Sequence, residues 1–321
     1  MIVRPYLPIL AVAVLLASVI SLERSNAFAN GMVTAMIAAL AGYGWNLLGG
    51  YGGQYSFGHA AFFGAGAYVD AILQVRYGVN AYIAFLLGAS AAGLVGLVIG
   101  YLSFRAGLRG SYFALITLAF AESMRVIANA ASVTGGAAGT LIKLDPAPSN
   151  FQFQSRLPFL WVAVALVALA MILTRAIERR RFGAYLIAVR ENEAAARALG
   201  VDALRVKLQA TVISAALTGL AGALYAQYFL FVDASIAFGS GISIEALAGP
   251  IIGGLGTVFG PLVGALALHA LGELARGVAG RLPGIDLALY GALLILAVAV
   301  ARDGLQGLAV DVVRKWRVRA A

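Results

Sequence analysis

Runs of about twenty nearly charge-free residues recur along this chain from end to end, and nothing constrains its fold more. Twenty residues is the length a helix needs to cross ~30 Å of hydrocarbon. A water-soluble fold would leave most of these apolar faces with nothing to pack against. Hydrophobic residues make up 62% of the sequence and the mean hydropathy is +0.91, so the expected class is an all-α polytopic membrane protein. The 39 glycines suit that class, because small residues let membrane helices approach closely and permit broken helices.

Before the central polar passage we expect spans at 6–22, 27–48, 57–75, 81–104, 111–130 and 157–174. After it we expect 208–231, 242–255, 258–274 and 285–301, about ten in all. The whole chain, 1–321, is read as one membrane domain. The segment 242–255 covers only ~21 Å as a helix and is expected to be short or broken. At the N-terminus, Arg4, the apolar run 6–22 and Ala27-Phe28-Ala29 follow the pattern of a signal peptide. The long apolar run and the intervening Glu23 and Arg24 favour an uncleaved first span instead.

Residues 174–207 carry eight basic and four acidic side chains, in a chain where only 12% of residues are charged. Such a block cannot lie in hydrocarbon, and its Lys/Arg excess places the loop 175–207 in the cytoplasm. The basic tail 302–321 belongs on the same side. Four crossings between them satisfy this, and six before the loop put the N-terminus inside too. The net charge of +9 needs no nucleic-acid partner, since its basic residues flank spans. Within the loop, Glu191, Glu193, Ala194, Ala195, Ala196 and Leu199 favour a short helix over 191–202, and Gly200 is a suitable stop. A short exposed helix held between spans is a shape offered to a soluble partner.

Two glycine-rich passages, 49–68 and 249–264, stand one in each half. Discontinuous helices at corresponding places are the best sequence pointer to a substrate path. The alternative is that these glycines only allow tight packing. Gln54, Ser56 and His59 in the first passage and Gly253 and Gly254 in the second are the candidate path residues. Ionisable residues within spans join them, because a charge at the bilayer centre costs roughly 2.5–3.5 kcal/mol on insertion scales. Glu122 has Arg125 at i+3, so an intrahelical pair competes with a path role. Asp70 is expected at the interface or paired with Arg76. Glu245 is read as starting the short span, where capping competes with a path role. The loop 132–156 is expected to be irregular and external, and a soluble binding protein could seat there.

Some chemistry is missing. There is no phosphate-binding G-x-x-x-x-G-K-[ST] loop, no cysteine, and no motif spacing for a metal or a hydrolase, so no cofactor is expected in this chain.

The strings GYGGQYSFGHAAFFGAGAY at 50–68, RGSYFALITLAFAE at 109–122 and TGG at 134–136 resemble the branched-chain amino-acid ABC-importer permeases of the LivM type. So do RRFGAYLIAVRENEAAARALGVD at 180–202, LTGLAGALYA at 217–226 and SIEALAGPIIGGLGTVFGPLVGA at 243–265. The resemblance implies an inner-membrane permease working with two cytoplasmic ATPase subunits that hold ATP and magnesium. It also implies a second, LivH-like permease, a periplasmic or surface substrate-binding protein, and surrounding lipid. Glu193, Ala194, Ala195 and Gly200 match the E-A-A…G pattern of the coupling helix that docks on the ATPase. Departures from the pattern are Tyr55 and Ala248-Gly249-Pro250, the latter bearing on the geometry of the second glycine-rich passage. The implied substrate is a branched-chain, aliphatic amino acid, with urea, short amides and aromatic acids as alternatives within such permeases. A passive channel that uses the loop helix as a handle, and an intramembrane enzyme using Glu122 or His59, are the readings from other classes.

Overall fold

The computed structural model describes residues 6–22 and 25–279, with short pieces at 291–292, 295 and 304–307. The expected last span, 285–301, and the tail, 302–321, fall almost wholly outside the described residues.

Within the described residues, helices form at each expected apolar run. α1 is Leu7–Leu22, α2 Asn26–Trp45, α3 His59–Tyr77, α4 Ala81–Arg105, α5 Ser111–Ala130 and α6 Leu157–Glu178. The polar passage folds as α7 (Arg181–Glu191) and α8 (Glu193–Ala198). After it come α9 (Ala203–Phe229), the one-turn α10 (Ala234–Ala237), α11 (Ser240–Gly253) and α12 (Gly260–Ala279). Helix starts carry the expected side-chain caps: Ser25, Asn80, Asp202 and Asp233 each accept from the backbone of the following turn,.

Among the described residues, six segments are long and apolar enough to cross a membrane: Asn26–Tyr51, Ala81–Arg105, Ser111–Ala130, Leu157–Glu178, Ala203–Phe229 and Ala234–Gly253. Helices α1, α3 and α12 stand at three more of the expected places without being among those six. For α3 the reason is physical. His59, Asp70, Gln74 and Arg76 lower its hydropathy, and it lies in the middle of the bundle between α4 and α9. A helix covered by protein needs no lipid-facing apolar surface.

One expectation holds here and one is corrected. The segment 242–255 is short and broken, as expected: α11 runs only Ser240–Gly253, extended Gly239 (φ −64°, ψ 143°) parts it from the Asp233-capped turn Ala234–Ala237, and the whole apolar stretch Ala234–Gly253 is 20 residues long. The expected loop helix 191–202 is shorter than read: Glu191 ends α7, Asn192 is extended at φ −156° and ψ 100°, and α8 spans only Glu193–Ala198.

α2, α3, α4 and α9 form the packed centre, with α11 and α12 against α2 on one side. α6 closes over α2. The loop 132–156 is largely irregular, as read. Besides three short 3-10 turns it holds β1, Thr140–Leu141, paired antiparallel with β2, Phe231–Val232, just past α9. Asp70 is fully buried rather than interfacial. Its carboxylate accepts from Gln227 Nε2 at 2.9 Å and Gln74 Nε2 at 3.0 Å, while Arg76 donates to the Ser132 carbonyl instead.

Candidate functional site

The end of the bundle that carries α7 and α8 gathers most of the predicted residues. α2 does not end cleanly there. Its last turn widens into a π-helical segment, Asn46–Tyr51, entirely buried. Widened turns of this kind occur at functional sites more often than chance would give. The side chain of Asn46 reaches across to the second glycine-rich passage, donating to Thr257 O at 2.9 Å and accepting from Gly256 N at 2.8 Å. Tyr43 adds a hydrogen bond to Val258 O at 2.8 Å. The two passages, about two hundred residues apart in sequence, thus meet in one junction.

Glycine is required in this junction by contact. A Cβ on Gly253 would stand 1.8 Å from Gly260 O, and one on Gly264 would stand 1.7 Å from Gly249 O. Gly254 has φ +138°, a conformation side chains rarely adopt,. Close packing of this same chain therefore accounts for Gly253, and backbone conformation for Gly254.

The first passage leaves the junction and turns back into the bundle. Gln54 stays local, donating to Gly52 O at 3.1 Å. Ser56 is buried: its carbonyl accepts from Trp45 Nε1 at 2.8 Å and its hydroxyl accepts from Gly58 N at 3.2 Å. His59 is also fully buried, with Nδ1 3.2 Å from Ser56 Oγ and Nε2 3.0 Å from Ser214 Oγ. Both ring nitrogens are occupied, so Ser56 and His59 lock the start of α3 to α9. Gly58 sits against α5, where a Cβ would come within 2.1 Å of Thr117 O.

Glu122 lies apart, on the outward face of α5, in an ion pair with Arg125. Glu245 is apart as well. It sits in the second turn of α11, whose first turn holds no acidic residue, so the expected capping role is corrected. It is exposed at the surface of this chain and lines the mouth of a crevice between α2, α3, α9 and α11.

The loop is held to this junction at two points. Arg190, near the end of α7, donates through Nη1 to Gly50 O at 2.9 Å and pairs with Glu191 at 2.6 Å. Glu193, the first residue of α8, turns inward and meets three cations. Lys207 Nζ lies 3.2 Å from both carboxylate oxygens, Arg197 Nη2 at 2.6 Å and Arg109 Nε at 3.5 Å. Burial alone pushes the Glu193 carboxyl up, but Lys207, Arg109 and Arg197 outweigh it and hold it below the usual carboxylate range,. Lys207 is itself only 3% exposed and stands 4.8 Å over the Phe104 ring. One carboxylate thereby fastens α8 to the α4–α5 turn and to α9, whose Lys207 in turn rests on Phe104 of α4. Lys207 and Asn46 were both missed from sequence. A lysine at a loop margin reads as solvated, and its partner is fourteen residues away.

What α8 turns outward is different. Ala194, Ala195, Ala198 and Leu199 are exposed, Leu199 at 87%. Asn192 Oδ1 caps the helix start by accepting from Ala195 N at 3.0 Å. At the other end Val201 N bonds to Ala196 O and Gly200 N to Arg197 O, with Gly200 at φ +84°. This is the glycine-terminated stop that the sequence suggested. A rigid, capped, six-residue helix shows a flat apolar face to the outside.

The family model for the branched-chain amino acid transport system permease component matches residues 27–298. The chain is 32% identical over 267 residues to the high-affinity branched-chain amino acid transport system permease protein LivM of Escherichia coli K12, covering 75% of this chain and 62% of that protein. It thus spans somewhat under two thirds of that relative's length. Against the permease protein LivH of Salmonella typhimurium it is 27% identical, over 87% of this chain and 94% of that one. A probable ABC transporter permease of Sinorhizobium fredii is 30% identical over 68% of this chain and 63% of its own. No solved structure matches.

Proposed function

Because the chain belongs to the branched-chain amino acid transport permease family, we propose that it is the membrane-spanning subunit of an ATP-driven importer for amino acids with aliphatic side chains. The family and the apolar helices make it a multi-pass inner-membrane protein. In this reading the end bearing α7 and α8, with both chain termini, faces the cytoplasm. Two ATPase subunits, holding ATP and magnesium, sit there. A second, LivH-like permease stands alongside, and a substrate-binding protein delivers from the other side.

The observation that carries the reading is the two-sidedness of α8. A six-residue helix, ~9 Å long, is too short to be stable alone in water. This one is clamped inward by Glu193 and leaves a small-residue face outward. Such a face suits a groove on a soluble partner. The inward clamp supplies a rigid path for force. Movement of α8 acts through Glu193 on the α4–α5 turn and α9, and through α7 and Arg190 on the Gly50 carbonyl and the Asn46 bridge. The glycine junction then transmits it to α11 and α12. Coupling requires only that the ATPase hold α8 differently in its two states.

The test is reconstitution of this chain with its partner permease, the ATPases and the binding protein in vesicles. ATP-dependent accumulation of leucine is expected. Equilibration without ATP would make the protein a passive channel, and accumulation of urea or an amide instead would change the substrate class.

A further inference from the structure

Two of the acidic residues within spans, Glu122 and Glu245, are in opposite circumstances. Glu122 has Arg125 beside it on α5. Glu245, twelfth of the twenty residues in the apolar span Ala234–Gly253, has no hydrogen-bond or ion-pair partner among the described residues. A carboxylate at membrane depth is costly unless a cation or water meets it. Nothing within this span supplies one.

The surroundings say what kind of cation fits. Glu245 opens into a crevice of about 130 Å³, lined also by Thr34, Phe63, Tyr225, Phe229 and Ile242. Phe63 and Tyr225 lie with ring centroids 5.6 Å apart, and Tyr225 and Phe229 4.6 Å apart, forming a continuous aromatic row. Aromatic faces attract ammonium groups, most strongly where water is scarce. The Thr34 hydroxyl donates to its own helix, to Gly31 O at 2.8 Å, which leaves its oxygen free to accept. The space equals that of about four waters, far below the size of a drug-like pocket. It suits the amine end of a small molecule, with the apolar lining for an aliphatic side chain.

We propose that Glu245, with the Phe63–Tyr225–Phe229 row, is a station on the transport path that recognises the ammonium group of an amino-acid substrate. The proposal rests on the amino-acid permease reading above. It makes Glu245 a specificity-determining residue: neutral amides, urea and carboxylic acids without an amine gain nothing from it.

The test uses the assembled importer in membrane vesicles and dicyclohexylcarbodiimide, an apolar reagent that modifies carboxyl groups in apolar surroundings. Modification of the Glu245 peptide is read by mass spectrometry. Leucine is expected to protect at least fivefold, and 4-methylpentanoate, the same carbon skeleton without the amine, not at all. Glu245→Gln is expected to cut ATP-driven leucine uptake at least tenfold while the ATPase subunits stay bound. Equal protection by the two compounds would overturn the proposal. So would a Glu245 that the reagent cannot reach, as when the partner permease buries or pairs it, or an E245Q uptake within twofold of the parent. Absence of ATP-driven leucine uptake in the parental importer is a failure of the underlying reading instead, and the protection experiment still reports on the crevice.

Discussion

Small residues serve two opposite purposes at the same end of this molecule. In the glycine junction they are small because the chain's own backbone touches them: Gly253 against Gly260, Gly264 against Gly249, Gly58 against Thr117. On α8 and its stop they are small with nothing beside them. Gly200 has no atom within 4 Å of where a Cβ would stand, and Ala194, Ala195 and Ala198 are open. The first pattern is explained by contact within the fold. In the second, Gly200 is fixed by its left-handed φ of +84°, but nothing in the chain covers the open alanines, and space left clear on a capped element is what a partner surface requires. Equal glycine and alanine content in two segments therefore carries different information, and only contact geometry separates them.

That contrast can be broken by adding bulk to each side. The largest effect is expected at the junction. Gly264→Leu and Gly253→Leu place atoms inside backbone that cannot retreat, and should cost more than the ~1–3 kcal/mol of ordinary overpacking. We expect loss of folded protein in detergent by size-exclusion chromatography. Gly58→Leu belongs with them and should lose folded protein in the same way, since a Cβ there already meets Thr117 O. A well-folded Gly264→Leu protein would show that the junction is looser than its contacts indicate.

Next in size is the clamp between the two regions. Glu193→Ala leaves Lys207 buried without its carboxylate, and breaking a buried pair from one side costs about 3–5 kcal/mol. Because Glu193 keeps some solvent exposure, we expect the lower end, about 3 kcal/mol, as a fall in Tm. Lys207→Met should restore most of that loss when combined with Glu193→Ala. If the double variant is no more stable than the single one, Lys207 is not the group left stranded.

A smaller effect is expected from pH. The Glu193 carboxyl is held below its ordinary value in the folded protein. Its stabilising contribution is therefore complete above the unfolded carboxylate pKa of ~4.3 and is lost as pH falls through the lower, folded value. Thermal melts from pH 6 downward should show a steeper decline for the parental protein than for Glu193→Gln. Parallel curves would mean that the cations around Glu193 contribute nothing that titrates.

Much of the scaffold could be read without coordinates, because the bilayer forces apolar runs into helices. Ser111–Ala130 falls where 111–130 was expected, and charged residues such as Arg105 and Glu178 mark helix ends. What could not be read depends on residues brought together from far away. Asp70 meets Gln227 rather than its helical neighbour Arg76, and Asn46 meets Thr257. The break at Asn192 was missed because good helix formers lie on both sides. The signal was the asparagine itself, a preferred cap. Asp233 gave the same kind of signal for the turn that lengthens the span ending at Gly253. Among the candidate path residues, glycines looked alike whether they were buried against backbone or held an unusual dihedral. Glu245 was picked out by type, but its lack of a partner shows only in three dimensions.

The smallest expected effect on stability belongs to the exposed side, and it tests the central claim most directly. Ala195→Arg adds bulk to an open face of α8, so Tm should move by no more than the ~0.5 kcal/mol typical of surface changes. Capture of the permease complex by a tagged ATPase subunit, measured alongside ATP-driven leucine uptake, gives the answer. The account predicts an unchanged Tm with the ATPase released, or with ATP hydrolysis no longer tied to uptake. An Ala195→Arg permease that retains the ATPase and transports at the parental rate would contradict it, and α8 would not be the coupling element.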